Sequence, residues 1–141
     1  MADPFGLDRF VDAQESGGTY DSALAELRAG RKRSHWMWFV FPQIIGLGRS
    51  PTAQHFAVSG LDEARAYVAH PVLGPRLVES ARALLDQPAR DPFAVLGAID
   101  GQKLRSSMTL FSRAAPDEPV FGRVLDEFFG GEADEATTTR L

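Results

Sequence analysis

Residues 36–41 read Trp-Met-Trp-Phe-Val-Phe, six bulky apolar side chains in succession, and Pro42 closes the run. Such a segment has no polar face to turn toward water, so any fold open to this chain must wrap other elements around it. Six residues fit either a helix that is apolar all round or a short buried strand. The helix is the reading adopted, with Ser34 as N-cap and with Phe41 pushed toward extended geometry by the proline after it. A membrane span is excluded here, since that needs about 20 apolar residues.

The remaining chain is punctuated as a series of short helices. Leu7, Phe10, Val11 and Gln14 share one face of a first helix that ends near Gly17-Gly18. Thr19 is expected to cap a second, with Tyr20, Ala23, Leu24 and Leu27 inward and Gly30 as the stop. Ser50-Pro51 pairs a cap with a first-turn proline and opens a segment to about Ser59, and Gly60-Leu61-Asp62 opens another that ends before Pro71. The stripe Leu73, Leu77, Val78, Ala81, Leu84 and Leu85 predicts a helix over 72–85. Asp91-Pro92 caps a turn through Leu96; further helices are predicted over 100–114, with Leu104, Met108 and Phe111 on one face, and over about 118–129, with Val120, Phe121, Val124, Leu125, Phe128 and Phe129 inward.

Asparagine is absent from the chain, and with it the Asn-Gly hairpin turn. The predicted class is therefore all-α, a single compact domain of about eight short helices over residues 1–141. Residues 1–5 and 132–141 are read as loosely ordered ends, the second also able to form one last short helix. With 141 residues such a domain buries about two-thirds of its unfolded surface.

Composition removes several chemistries. Without cysteine there is no disulfide, no thiolate zinc site and no cysteine nucleophile. His35, His55 and His70 are scattered, none at helical ligand spacing from another histidine or a carboxylate, so neither a metal nor a cofactor is expected. No Gly-x-Ser-x-Gly elbow or Walker loop occurs. The start of the chain lacks the pattern of a secretory signal, so a cytoplasmic protein without membrane contact is expected.

Charge is unevenly spread. Residues 1–30 hold six acids and two bases, whereas residues 31–50 hold four bases and no acid, within a net charge of −4. This compact positive patch suits one small anion better than the extended phosphate contacts of a nucleic acid. Three constellations could form the site. Lys32, Ser34 and His35 precede the aromatic run, where free backbone N–H groups and a lysine would suit phosphate and Trp36 or Trp38 could stack a base or ring. Asp100, Lys103, Ser106 and Ser107 share helical spacings that let an acid, an ammonium and hydroxyls converge. Gln43 to Ser50 form a glycine-containing loop in which Arg49 adds charge. The same residues admit a structural account, with Ser34 and Asp100 as caps, the aromatics as core and the loop as a turn.

The wording of the chain also resembles a known family. Ser34-His35-Trp36-Met37-Trp38-Phe39, Phe41-Pro42-Gln43, Gly46-Leu47-Gly48, His70-Pro71, Leu73-Gly74, Asp100, Lys103-Leu104 and Ser106-Ser107-Met108-Thr109-Leu110-Phe111 are similar to a bacterial and fungal family of unknown function, domain of unknown function 1810, sometimes mislabelled calpastatin-like. The likeness runs from about Phe10 to the C-terminus. It implies an all-α single domain and assigns no catalytic or binding residue.

The functional expectation is thus a pocket for a small anionic, phosphate- or nucleotide-like ligand, bordered by Lys32, Ser34 and His35 on one side and Asp100, Lys103 and Ser106 on the other. Its alternative is a non-enzymatic interaction module or dimer contact that uses the 36–41 segment, and room is left for a homo-oligomer.

Overall fold

The computed structural model describes residues 3–88 and 90–141. Among them are the α-helices α1 (Asp8–Glu15), α2 (Thr19–Arg28), α3 (Met37–Val40), α4 (Pro51–His55), α5 (Leu61–Ala69), α6 (Leu73–Leu85), α7 (Pro92–Leu96), α8 (Ala98–Ala114), α9 (Pro119–Phe129) and α10 (Glu135–Thr138). A 3-10 turn, Ser16–Gly18, joins α1 to α2. Among the described residues the regular structure is all helical, apart from one isolated bridge between Ile44 and Val58.

Helix α8 is the central post, packed by α5, α7, α9 and α10. Its buried positions include Leu104, Met108 and Phe111, the face predicted from their spacing. The stripes of α6 and α9 also face inward, Leu73, Leu77, Ala81 and Leu84 from one and Val120, Phe121, Val124 and Phe128 from the other. Rings continue the core in a chain, Phe10 edge-on to Tyr67 at 5.1 Å, Tyr67 to Phe111 at 5.3 Å and Phe111 to Phe121 at 5.9 Å. Removing one such ring from water stabilises the fold by about 2–3 kcal/mol. Helices α5 and α6 meet at Gly74, where a Cβ would lie 2.0 Å from the Val68 carbonyl oxygen, so only glycine permits this approach.

Local chemistry sets several helix starts as predicted. Ser50 Oγ accepts from the Ala53 N–H, and the Asp91 carboxylate accepts from the N–H groups of Phe93 and Ala94. Other boundaries were decided by tertiary partners. The second helix has Gly18 at its N-cap in the left-handed region (φ 68), while Thr19, the expected cap, donates its hydroxyl to the Ser16 carbonyl. α4 ends at His55 rather than near Ser59, because the chain then extends so that the Val58 N–H reaches the Gln43 carbonyl and the Ile45 N–H reaches the Val58 carbonyl. α8 begins two residues before Asp100, which therefore lies in the first turn and caps nothing.

The aromatic run is the largest correction. It is neither a six-residue helix nor a strand: α3 is one turn, Trp36 stands at its N-cap position with no side-chain cap, and Phe41 leaves it at φ −126 and ψ 75. Gln14, buried on α1, holds this turn from beneath, donating to the Phe39 carbonyl at 2.7 Å and to the Tyr67 hydroxyl at 3.3 Å.

The ends are tied down where described. Asp3 accepts from the N–H groups of Leu7 and Asp8, and Phe5 packs on the core; Met1 and Ala2 of the predicted loose end lie outside the described residues. Of the two readings of 132–141, the short helix is found, with Asp134 as its N-cap and Thr137 fully buried.

Candidate functional site

The loop 31–36 is shaped by a residue that spacing did not single out. Glu26, near the end of α2, accepts from the Arg33 N–H at 2.6 Å, the Ser34 N–H at 2.9 Å, the Ser34 hydroxyl at 2.6 Å and the Trp36 indole N–H at 3.0 Å. Burial disfavours its charge, but the hydrogen bonds from Ser34, Arg33 and Trp36 outweigh that effect and bring its pKa down to about 2. Ser34, expected as a helix cap, is thus spent on Glu26. Trp36 is fully buried by the same arrangement, which removes it from contact with any ligand.

With the loop curled around Glu26, the Lys32 N–H donates to the Val95 carbonyl at 2.8 Å and the Lys32 side chain meets α8. Its ammonium lies 2.9 Å from Asp100 Oδ2 and 5.2 Å from the Trp36 ring centre, with the side chain only 9% exposed. On the far side of the same carboxylate, Lys103 Nζ is 3.6 Å from Asp100 Oδ1 and stands 4.8 Å over the Trp38 ring. One carboxylate therefore bridges two ammonium groups, each on a tryptophan face.

Two hollows open beside this bridge and share Trp38, Ala98 and Ile99 as their divide. The larger, about 710 Å³, is bordered by Gln43, Leu47, Arg49, Gln102, Lys103, Ser106 and one carboxylate, Asp134. The smaller, about 430 Å³, is bordered by Lys32, His35, Met37, Leu96, Gly97 and Asp100. Ile99, three-quarters exposed, forms their common lip.

Of the candidates named from the sequence, Lys32, His35 and Asp100 thus border one hollow, and Gln43, Arg49, Lys103 and Ser106 the other. Ser107 borders neither: it is fully buried, and its hydroxyl has no hydrogen-bond partner among the described residues. Ser106 donates to Asp134 Oδ2 at 3.0 Å, and that carboxylate also takes the Thr137 hydroxyl at 2.6 Å and the Gln102 amide, so this acid is committed to holding α10 against α8.

Among the described residues, no three histidine or carboxylate side chains gather where they could hold one ion. His70 is engaged otherwise, accepting at Nδ1 from the N–H groups of Val72 and Leu73 at the start of α6. Burial leaves little of the 36–41 segment to serve as an exposed contact surface: Trp36, Met37, Phe39, Val40 and Phe41 are core, and Trp38 is partly open. No helix among the described residues is long and apolar enough to cross a membrane.

An all-helical domain built on a central post, with a tryptophan-divided hollow beside a lysine–aspartate–lysine bridge, is the class these observations define. The chain belongs to the family described as "Protein of unknown function (DUF1810)", which matches residues 4–141. Among solved structures it is similar to the conserved hypothetical protein Rv1873 from Mycobacterium tuberculosis, at 48% identity over 99% of this chain and 98% of that one, with a TM-score of 0.95. No curated protein matches it.

Proposed function

We propose that the hollow divided by Trp38 binds a small organic anion of the phosphate-bearing or nucleotide-like kind. The observation that carries this reading is the bridge from Lys32 through Asp100 to Lys103, which gathers two cations at one aromatic wall while a single carboxylate offsets only one of them. Arg49 adds an exposed guanidinium with no hydrogen-bond or ion-pair partner among the described residues. Charge and apolar cover are thus offered together, which is the usual composition of a small-molecule site.

In this reading Lys103 and Arg49 hold the anion in the larger hollow, Gln43 presents its carboxamide to the rest of the ligand, and Ser106 stays bound to Asp134. Lys32 and His35 flank the smaller one. Ser34 and Trp36 act at a distance, by fixing the loop through Glu26. The reading places the chain in the cytoplasm, where the lack of cysteine forgoes no stabilising disulfide.

Thermal melting of the full chain with inorganic phosphate, ribose 5-phosphate and AMP tests it. A ligand at a hundred times its Kd stabilises the folded state by about 2.7 kcal/mol, a readily visible upward shift. Lys103→Gln should remove the shift while lowering the ligand-free stability by less than about 1 kcal/mol, because its ion pair is loose and partly solvated. Absence of a shift with all three compounds, or an undiminished shift in the variant, would end the proposal.

A further inference from the structure

The open polar groups of the larger hollow narrow its occupant, given the anion reading above, on which this step rests. Among the described residues, every buried side-chain nitrogen or oxygen except the Ser107 hydroxyl has a hydrogen-bond partner. At the hollow, by contrast, neither the carboxamide of Gln43 nor the indole N–H of Trp38 has a hydrogen-bond partner among the described residues, and both side chains are only partly buried. The fold holds Gln43 by its backbone, through the carbonyl that receives the Val58 N–H at 2.9 Å, and leaves its side chain free for other use.

Volume and lining supply the second constraint. A space of about 710 Å³ lies within the range of roughly 300–1,000 Å³ typical of organic ligand sites and greatly exceeds one phosphate. Its walls include the Trp38 ring, Leu47, Ala53 and Ile99, so an ion alone would leave apolar surface wet. The occupant needs a flat or apolar part as well as a charge. A carboxamide presents one donor and one acceptor side by side in a plane. That pair complements the amino group and ring nitrogen on the N6/N7 edge of adenine, whereas guanine presents two acceptors there and would set its O6 against the amide oxygen.

We infer that the ligand is an adenine nucleotide, its base beside Trp38 with Gln43 on the N6/N7 edge and its phosphate toward Lys103 and Arg49. Calorimetric titration of the full chain with AMP, GMP and ribose 5-phosphate tests the assignment. AMP should bind about tenfold more tightly than GMP and than ribose 5-phosphate. Gln43→Ala should erase the preference of AMP over GMP and leave ribose 5-phosphate unchanged. Since the replaced side chain makes no hydrogen bond, the variant should melt as the parent does. Equal affinities for AMP and GMP, or for AMP and ribose 5-phosphate, overturn the adenine assignment while leaving an anion site in place. If none of the three binds, the anion reading falls, and this inference with it.

Discussion

Replacing Glu26 by glutamine puts a number on the residue that shapes the site. The carboxylate receives four hydrogen bonds, two of them from backbone N–H groups of the loop and one from an indole buried in the core. Its pKa falls from an ordinary value of 4.5 to about 2; unscreened, about 1.36 kcal/mol per pH unit would make this about 3 kcal/mol, and solvent screening at this half-open position leaves the ionised form adding about 1.5 kcal/mol to folding. Glutamine stands in for the protonated acid, so Glu26→Gln should cost about that much at neutral pH. Because the folded state holds this proton less tightly than the unfolded chain, the contribution is complete above about pH 4.5 and disappears as pH falls toward 2. The gap between parent and variant should therefore shrink to less than half of its neutral-pH value near pH 3. Urea unfolding followed by tryptophan fluorescence, which Trp36 reports from the core, measures both quantities. A variant as stable as the parent at neutral pH, or a gap that stays constant down to about pH 3, would refute the reasoning.

Two further substitutions test the packing around the site. Gly74→Ala drives a methyl into the Val68 carbonyl at 2.0 Å and should lower the stability by about 3 kcal/mol as α5 and α6 are forced apart; an unchanged urea midpoint would mean that the helices separate at little cost. Ser107→Ala removes a buried hydroxyl without a partner, and should leave stability unchanged or raise it by up to about 1 kcal/mol. A clear loss in that variant would show that the hydroxyl has a partner such as a bound water.

The candidate site was legible in part. Lys32, Asp100 and Lys103 stood out by residue type and local spacing, and the fold brings all three to one carboxylate bridge. Arg49 and Gln43 stood out as the ends of a glycine-containing loop between helices, and they border the same hollow as Lys103. Glu26 gave no comparable signal, because a glutamate near a helix end looks like any solvated charge until the loop after Gly30 turns back over it. Trp36 and Trp38 were indistinguishable in sequence: both are tryptophans in one apolar run, and only the packing beneath decides that the first is sealed and the second borders a hollow. Ser106 and Ser107 divide in the same way, one bound to Asp134 and the other orphaned in the core.

What the sequence determined by itself is what local physics carries. Turn-by-turn apolar spacing predicted the buried faces of α6, α8 and α9, the caps Ser50 and Asp91 marked two helix starts, and a bare apolar run at 36–41 required burial. Those signals act within a few residues and leave a periodic or positional trace. The tertiary structure alone decided that this run is one turn rather than a longer helix, since Glu26 and Gln14 hold its two ends from other helices. It alone set Asp100 between two lysines and opened a hollow beside Trp38, because contacts between distant segments depend on how whole helices pack and leave no period in the chain.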